Sequence, residues 1–298
     1  MNLPKISVVI PTRNRLPRLM KAVDSVLSQS EKSFEVIVVD DGSTDGTRKF
    51  LSELALRDER VRPIFNEVSA GGAGARNIGI GASLGELIAF LDDDDEWLPD
   101  KLEKQQCLLQ ANVDAVACSC SYWRCYPSGK TMLANVPSEI TFEDLLRGSV
   151  MAGASMCMCR AHTLRSVDGY DRILRSGQDW DLWTRLSRVG KVISCSEPLV
   201  LYHVHEEPRI STDMNAQYQG ARRFYFKYRG DMSDEIRNFR LSHLYYIMSR
   251  QRRKVRYRLK YLSYSWHFGR GMKAMKLALS GCYYIVKEAL RSFTHREG

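Results

Sequence analysis

The sequence predicts an α/β protein: a mixed, mainly parallel sheet with flanking helices, continued by a helical C-terminal extension. Three observations carry that prediction. Apolar runs with little polar alternation, at 6–10 and 34–39, read as strands buried on both faces. Each is followed by apolar residues at helical spacing, as expected of parallel strands joined by crossover helices. Polar clusters then fall at the ends of the runs, in Pro11-Thr12-Arg13-Asn14, Asp40-Asp41-Gly42-Ser43 and the four aspartates 92–95. Sheets of this kind bind ligands outside the carboxyl ends of their strands, so three clusters distant in sequence should meet in one crevice.

Taken in order, the first strand (6–10) is β-branched and ended by Pro11. Leu16, Leu19, Met20, Val23, Val26 and Leu27 recur on one helical face. After the second strand, Ser43 or Asp45 can cap a helix carrying Phe50, Leu51 and Leu54. A shorter strand is expected at 61–65, a glycine-rich segment with a helical tail at 70–83, and a fourth strand at 86–91. Beyond it, 114–123 and 154–159 read as strands and 142–146 as a short helix. Residues 178–189 form an amphipathic helix, followed by separate strands at 191–195 and 199–203. From 213 onward helical patterns dominate. The expected division is 1–212, with halves 1–98 and 99–212, and an extension at 213–298.

Charge is divided along the same line. Residues 221–298 hold 19 Lys and Arg against 5 Asp and Glu, while 1–220 hold 25 against 30. The same last segment carries 15 of the 29 aromatic residues, so an acidic front portion runs into a basic, aromatic tail. No apolar stretch approaches the length of a membrane-spanning helix, and the N-terminus lacks the apolar core of a secretory signal. The eight cysteines sit among apolar residues, and Cys118-x-Cys120 and Cys157-x-Cys159 have strand-like spacing; reduced core thiols and a cytoplasmic location are expected.

The sharpest feature is AFLDDDDEW: a buried strand running straight into four consecutive aspartates. Like charges at adjacent positions repel, so a cation, from a basic partner or a metal, is expected there. In an extended segment Asp92 and Asp94 would point to one side about 7 Å apart. Their hard oxygens suit Mg²⁺ or Mn²⁺. A merely solvated acidic loop would explain the acidity but not its place after a buried strand.

Five stretches, SVVIPTRNR (7–15), VIVVDDGSTDGT (36–47), AGGAGARNIGI (70–80), FLDDDDEW (90–97) and GQDWDLWTRL (177–186), resemble in order and spacing the family 2 glycosyltransferases. The resemblance implies the GT-A (Rossmann-like) fold, a nucleotide-diphosphate sugar donor such as a UDP-sugar, a divalent metal (Mn²⁺ or Mg²⁺) and inversion at the anomeric carbon. It implies that Asp94 coordinates the metal, with Asp92 or Asp93 nearer the ribose, and that Asp41 contacts the base. Pro11 and Thr12, beside Asn14, would line the base pocket, with Arg13 or Arg15 near phosphate and Arg76 supporting the donor. Asp179 matches the family's catalytic base, although Gln178 stands where glutamate is common. Asp181, two residues on, is expected to cap the helix or face solvent. His205 resembles a histidine that contacts metal or pyrophosphate, with a hydrogen-bonded structural histidine as the alternative.

No Gln-x-x-Arg-Trp segment accompanies these motifs, which points to addition of one sugar per encounter rather than processive synthesis. RQRRKVRYRLKYLSYSWHF (250–268) suits an anionic membrane surface, and no nucleic-acid-binding motif accompanies it. Peripheral attachment to the inner face of the plasma membrane would fit a polyprenyl-diphosphate-linked glycan acceptor in surface polysaccharide assembly. The alternatives are a sugar-nucleotide nucleotidyltransferase, which usually has glycines where PTRNRLPRL stands, and a non-catalytic glycan-binding module.

Overall fold

The computed structural model describes residues 3–151, 153–205, 213–251 and 263–264. The chain divides into two compact units, one of residues 1–173 with 178–206, the other of 174–177 with 207–298.

The first unit opens with β1 (Ile6–Thr12), α1 (Leu16–Leu27), β2 (Phe34–Asp40), α2 (Thr47–Arg57), β3 (Val61–Phe65), α3 (Gly71–Ala82) and β4 (Leu87–Phe90). It continues through β5 (Glu96–Trp97), α4 (Lys101–Ala111), β6 (Ala115–Cys125), β7 (Thr131–Ala134), β8 (Glu139–Ile140) and α5 (Phe142–Arg147). A 3₁₀ turn (Ala154–Met156), β9 (Met158–Arg160), α6 (Ala161–Ser166), α7 (Gln178–Leu186) and β10 (Lys191–His203) complete it. The strands order as β3-β2-β1-β4-β9-β6-β10-β5, with β7 on β6 and β8 on β10. The long pairings β1–β2, β2–β3, β1–β4 and β6–β10 are parallel, while β9 runs antiparallel between β4 and β6. The sheet is thus mixed, with its parallel half in the first ninety residues.

Burial explains these elements. Every residue of β2 is buried and so are all of β4, as strands covered on both faces require. On α1, Leu19, Ala22, Val23 and Val26 are buried; Met20 is 42 % exposed. Each fully buried Leu or Val contributes roughly 1.5–3 kcal/mol. The small residues of α3 serve close packing, since a Cβ on Gly79 would stand 2.3 Å from Val9 Cγ1 on β1.

Four expectations need correction. Pro11 lies inside β1, opposite Val39, rather than ending it. Its missing N–H is tolerated because β4 pairs with β1 only as far as Val9. The segment expected as one strand at 154–159 is a 3₁₀ turn followed by β9. The two strands expected at 191–203 are one, bent by register shifts around Cys195–Pro198 and Pro198–Val200. Ser43 does not cap α2; Asp45 accepts from Thr47 N (3.0 Å), while Ser43 Oγ accepts from Asn14 N (2.9 Å).

In the second unit, α8 (Met214–Tyr228) starts at Asp213, whose carboxylate accepts from Asn215 N and Ala216 N. It is followed by α9 (Asp234–Gln251). Gly220 lets α8 approach Ser176, whose carbonyl oxygen a Cβ would meet at 2.3 Å. No helix among the described residues is long and apolar enough to cross a membrane. Most of the basic segment 250–268 lies outside the described residues, as does Cys282. The other seven cysteines are free thiols, with Cys118, Cys120, Cys157 and Cys159 buried.

Candidate active site

The carboxyl ends of β1, β2 and β4 meet, and side-chain bonds tie them together. Asn14, at φ 54°, receives Thr44 N–H on its Oδ1 (2.7 Å) and gives its own N–H to Ser43. The Asp92–Asp95 segment is a turn rather than extended, closed by Asp95 N donating to Asp92 O (3.1 Å). Curling brings carboxylate oxygens of Asp92, Asp94 and Asp95 within 4.8 Å of one another. Three hard oxygen donors at that spacing fit a divalent cation such as Mg²⁺ or Mn²⁺.

The four aspartates have different surroundings. Asp93 turns inward, accepting from Thr12 Oγ1 (2.8 Å) and Arg15 Nη1 (3.0 Å). Burial lifts it to about 6, with Asp94 adding, against the pull of Arg15 and Thr12. Asp94 faces Arg15 Nη1 at 3.3 Å and His205 Nε2 at 3.8 Å. Asp92 pairs with Arg76. Asp95 is buried, accepting from Ser155 Oγ (2.6 Å) and His203 N (3.1 Å). Burial, and then the charges of Asp92 and Asp94, push its carboxyl well above the usual range. A bound cation would relieve that repulsion.

Of the two arginines open for the phosphate position, Arg15 carries the ion pairs, whereas Arg13 is exposed. Asp41 is placed beside the N-terminus of α3, not turned to an open pocket. Its oxygens accept from Asn66 Nδ2, Ser69 Oγ, Ala70 N and Gly71 N at 2.6–2.9 Å. Burial alone would raise its pKa, but those four bonds outweigh burial and hold it below the usual range. Gly42, at φ +81°, makes the turn that aims it there.

Beyond the turn, Asp179 stands in the first turn of α7, where the helix dipole favours a carboxylate. Burial and the charge of Asp92 lift it to about 6, against Arg76 and the hydroxyl of Tyr170. Arg76 links the two acidic groups: burial opposes its charge, but Asp92 and Asp179 outweigh that and hold it firmly protonated. Asp181 neither caps α7 nor faces solvent. It is fully buried and receives Arg185 Nε (2.9 Å), whose other nitrogens reach Val167 O and Gly169 O. The rings of His203 and His205 stack 6.3 Å apart, with His203 Nε2 at 2.9 Å from Glu96.

Two contributors escaped the sequence reading. Ser155 accepts Asp92 N–H, donates to Asp95 and takes Trp97 Nε1–H on its carbonyl. Nothing in a lone serine 60 positions away marks it. Tyr170 stacks under Arg76, 5.3 Å from ring centroid to guanidinium. The turn dipeptide Asp168-Gly169 before it was its only signal.

Solved structures define the class first. A crystal structure of Staphylococcus aureus TarS 1–349 in complex with UDP-GlcNAc superposes with a TM-score of 0.68, at 18 % identity, over 89 % of this chain and 80 % of that one. The mannosyltransferase PcManGT from Pyrobaculum calidifontis, in complex with GDP-Man and Mn²⁺, gives 0.62 at 17 % identity over 99 % and 84 %. The fold is therefore GT-A. Residues 7–168 match the model of Glycosyl transferase family 2, and the chain belongs to that family. It is 30 % identical to the putative teichuronic acid biosynthesis glycosyltransferase TuaG of Bacillus subtilis, over 76 % of this chain and 88 % of that protein. It is 28 % identical to the putative colanic acid biosynthesis glycosyl transferase WcaA of Escherichia coli, over 84 % and 90 %. An uncharacterized glycosyltransferase of Rickettsia felis matches at 33 % over 63 % of this chain, which spans 31 % of that longer protein.

Proposed function

We propose that this glycosyltransferase moves one sugar from a nucleotide-diphosphate sugar, a UDP-sugar, to an acceptor hydroxyl with inversion. The observation that carries the reading is the acidic turn closed around Asp92, Asp94 and Asp95, joined through Arg76 to the enclosed carboxylate Asp179. Asp94 and Asp92, with His205 beside Asp94, would hold Mn²⁺ or Mg²⁺. When bound, the cation supplies charge neutralisation for the departing nucleoside diphosphate. Asp93 and Arg15 brace the turn, so the nucleotide is left to Pro11, Thr12, Asn14 and the Asp41 loop. Arg76 holds Asp92 and keeps positive charge near the donor. Asp179 takes the acceptor proton as the hydroxyl oxygen attacks C1 from the face opposite the leaving phosphate; the new C–O bond forms as the old one breaks. With a pKa of about 6, it is ionised at neutral pH yet more basic than an exposed aspartate.

The acceptor in this reading is a polyprenyl-diphosphate-linked glycan in surface polysaccharide assembly. The names of the TuaG and WcaA relatives support it, and so does the basic, aromatic C-terminal segment. Arg222 on α8 and Arg229 just past its end flank the half-exposed Phe226, at 5.4 and 5.2 Å from its ring. Such a face suits the anionic inner leaflet of the plasma membrane, with the catalytic unit in the cytoplasm.

The test is nucleoside-diphosphate release from a panel of UDP- and GDP-sugars, with Mn²⁺, Mg²⁺ or EDTA and bacterial lipid extract as acceptor. Donor-specific release that EDTA and Asp94→Ala abolish, and that Asp179→Asn cuts to a small residual rate, is the expected result. Release indifferent to EDTA, or undiminished in Asp179→Asn, would overturn the metal or the base assignment respectively. Co-sedimentation with phosphatidylglycerol vesicles but not phosphatidylcholine vesicles is expected of the membrane role, and pelleting with neither would remove it.

A further inference from the structure

Tyr170 is buried, 2 % exposed, and its position is fixed on every side. Its N–H donates to Asn77 Oδ1 and its carbonyl accepts from Asn77 Nδ2, both at 2.8 Å, so α3 holds the backbone at two points. The turn before it runs through Asp168 at φ 60° and Gly169 at φ 58°. A Cβ at Gly169 would meet Asn77 Oδ1 at 2.5 Å, so that turn is seated hard on α3. From the other side Arg185 of α7 binds the carbonyls of Val167 and Gly169. The ring stands edge-on to Phe90 at 5.4 Å and beneath Arg76. Such a ring has little freedom left, and its hydroxyl is aimed by the scaffold.

That hydroxyl is buried without a well-formed hydrogen bond, and so is Asp179 Oδ1. The two groups nevertheless sense each other. After burial, Asp179 is the strongest influence on the phenol, and the hydroxyl, within hydrogen-bonding reach of the carboxylate, draws its proton affinity down. Two complementary polar atoms, both enclosed and only loosely engaged, leave bonding capacity unused in the ligand-free fold. Catalytic hydrogen bonds often align only once substrate is bound.

We propose that Tyr170 is a positioning residue for Asp179: in the substrate-loaded enzyme its hydroxyl donates to Oδ1, which orients the carboxylate so that Oδ2 faces the acceptor hydroxyl. This rests on Asp179 being the base. The phenol keeps its proton throughout, and the acceptor's proton goes to Asp179. Asn77 and Arg185 act on the reaction only through the place they give this ring, whereas Arg76 also holds Asp92.

The experiment is steady-state kinetics of donor turnover for Tyr170→Phe, Asp179→Asn and the double variant, with Mn²⁺ and bacterial lipid extract, alongside thermal melts. Phenylalanine keeps the ring on Arg76 and Phe90 and removes an unpaired oxygen, so the melting temperature should be unchanged or higher. The expected result is a fall in kcat of about tenfold, the scale of one hydrogen bond to a charged group, with the KM for donor within about twofold. In the Asp179→Asn background the same change should have no further effect, because its target is gone. An unchanged kcat in Tyr170→Phe, or an equal loss in both backgrounds, would overturn the inference while leaving Asp179 as base. Wild-type turnover in Asp179→Asn would overturn the base assignment itself, and this inference with it.

Discussion

Asp93 and Asp179 both hold protons to about 6, yet only Asp179 is the proposed base. Asp93 is closed in by Thr12 and Arg15, so its perturbed affinity is a matter of bracing. The kinetic consequence belongs to Asp179. A base must be unprotonated, so kcat/KM should fall about tenfold per unit as pH drops below about 6, and a plateau should hold above it. A flat profile from pH 5 to 8 would contradict that. Ser155 offers a second check. Replacing it with alanine removes the hydroxyl that accepts Asp92 N–H and donates to Asp95. Mn²⁺ affinity measured by calorimetry should drop about tenfold, as for other groups that orient a ligand set, with the fold intact. The candidate residues were legible in sequence as residue types at strand ends. Their individual orientations were not: whether an aspartate in DDDD faces metal, arginine or core depends on a turn that periodicity does not encode. Asp41, gripped by residues 66–71, and Asp181, buried on Arg185, make the same point.

At the scale of elements, the segment expected as glycine-rich with a helical tail is helical from Gly71 through Ala82, because its small residues let α3 lie close against β1. Gly79→Ala should destabilise by about 1–3 kcal/mol in denaturant unfolding, since its methyl group enters Val9. Adding Val9→Ala should return part of that loss. Helix α4 escaped notice because its inward face carries Lys101, Gln105 and Gln106, a pattern that looks solvated. Lys101 is fully buried with its Nζ 3.8 Å above the Trp97 ring centroid and no hydrogen-bond partner. Burial lowers its pKa to about 8. Between there and the ordinary lysine value of 10.5, the unfolded chain binds more protons, so the penalty is full below pH 8 and fades as pH rises. Lys101→Met should therefore stabilise the protein by about 1–3 kcal/mol at pH 7, less whatever the Trp97 contact contributes, and the gain should shrink by pH 10. Strand β10 was read as two because Glu197 and Pro198 interrupt the apolar run; the chain resolves the conflict with bulges rather than a break.

For the molecule as a whole, the alternation of strand and helix over the first ninety residues fixed the parallel half of the sheet. The antiparallel insertion of β9 was illegible, because three residues of MCR carry no directional signal and only long-range pairing decides it. The acidic turn depends on that later half of the chain. Asp95 is held by Ser155 and by the backbone of His203, partners 60 and 108 positions downstream. Loops that long close late, after local structure has formed. The proposed cation site, assembled only at the end of folding, would be absent from the transition state. Saturating Mn²⁺ should therefore leave the refolding rate of the chain nearly unchanged and slow its unfolding in proportion to the stability gained. Stopped-flow refolding accelerated by the metal would instead mean that the turn closes early. If it closes late, the ion acts as a latch on the finished molecule, lengthening its lifetime without helping it to form.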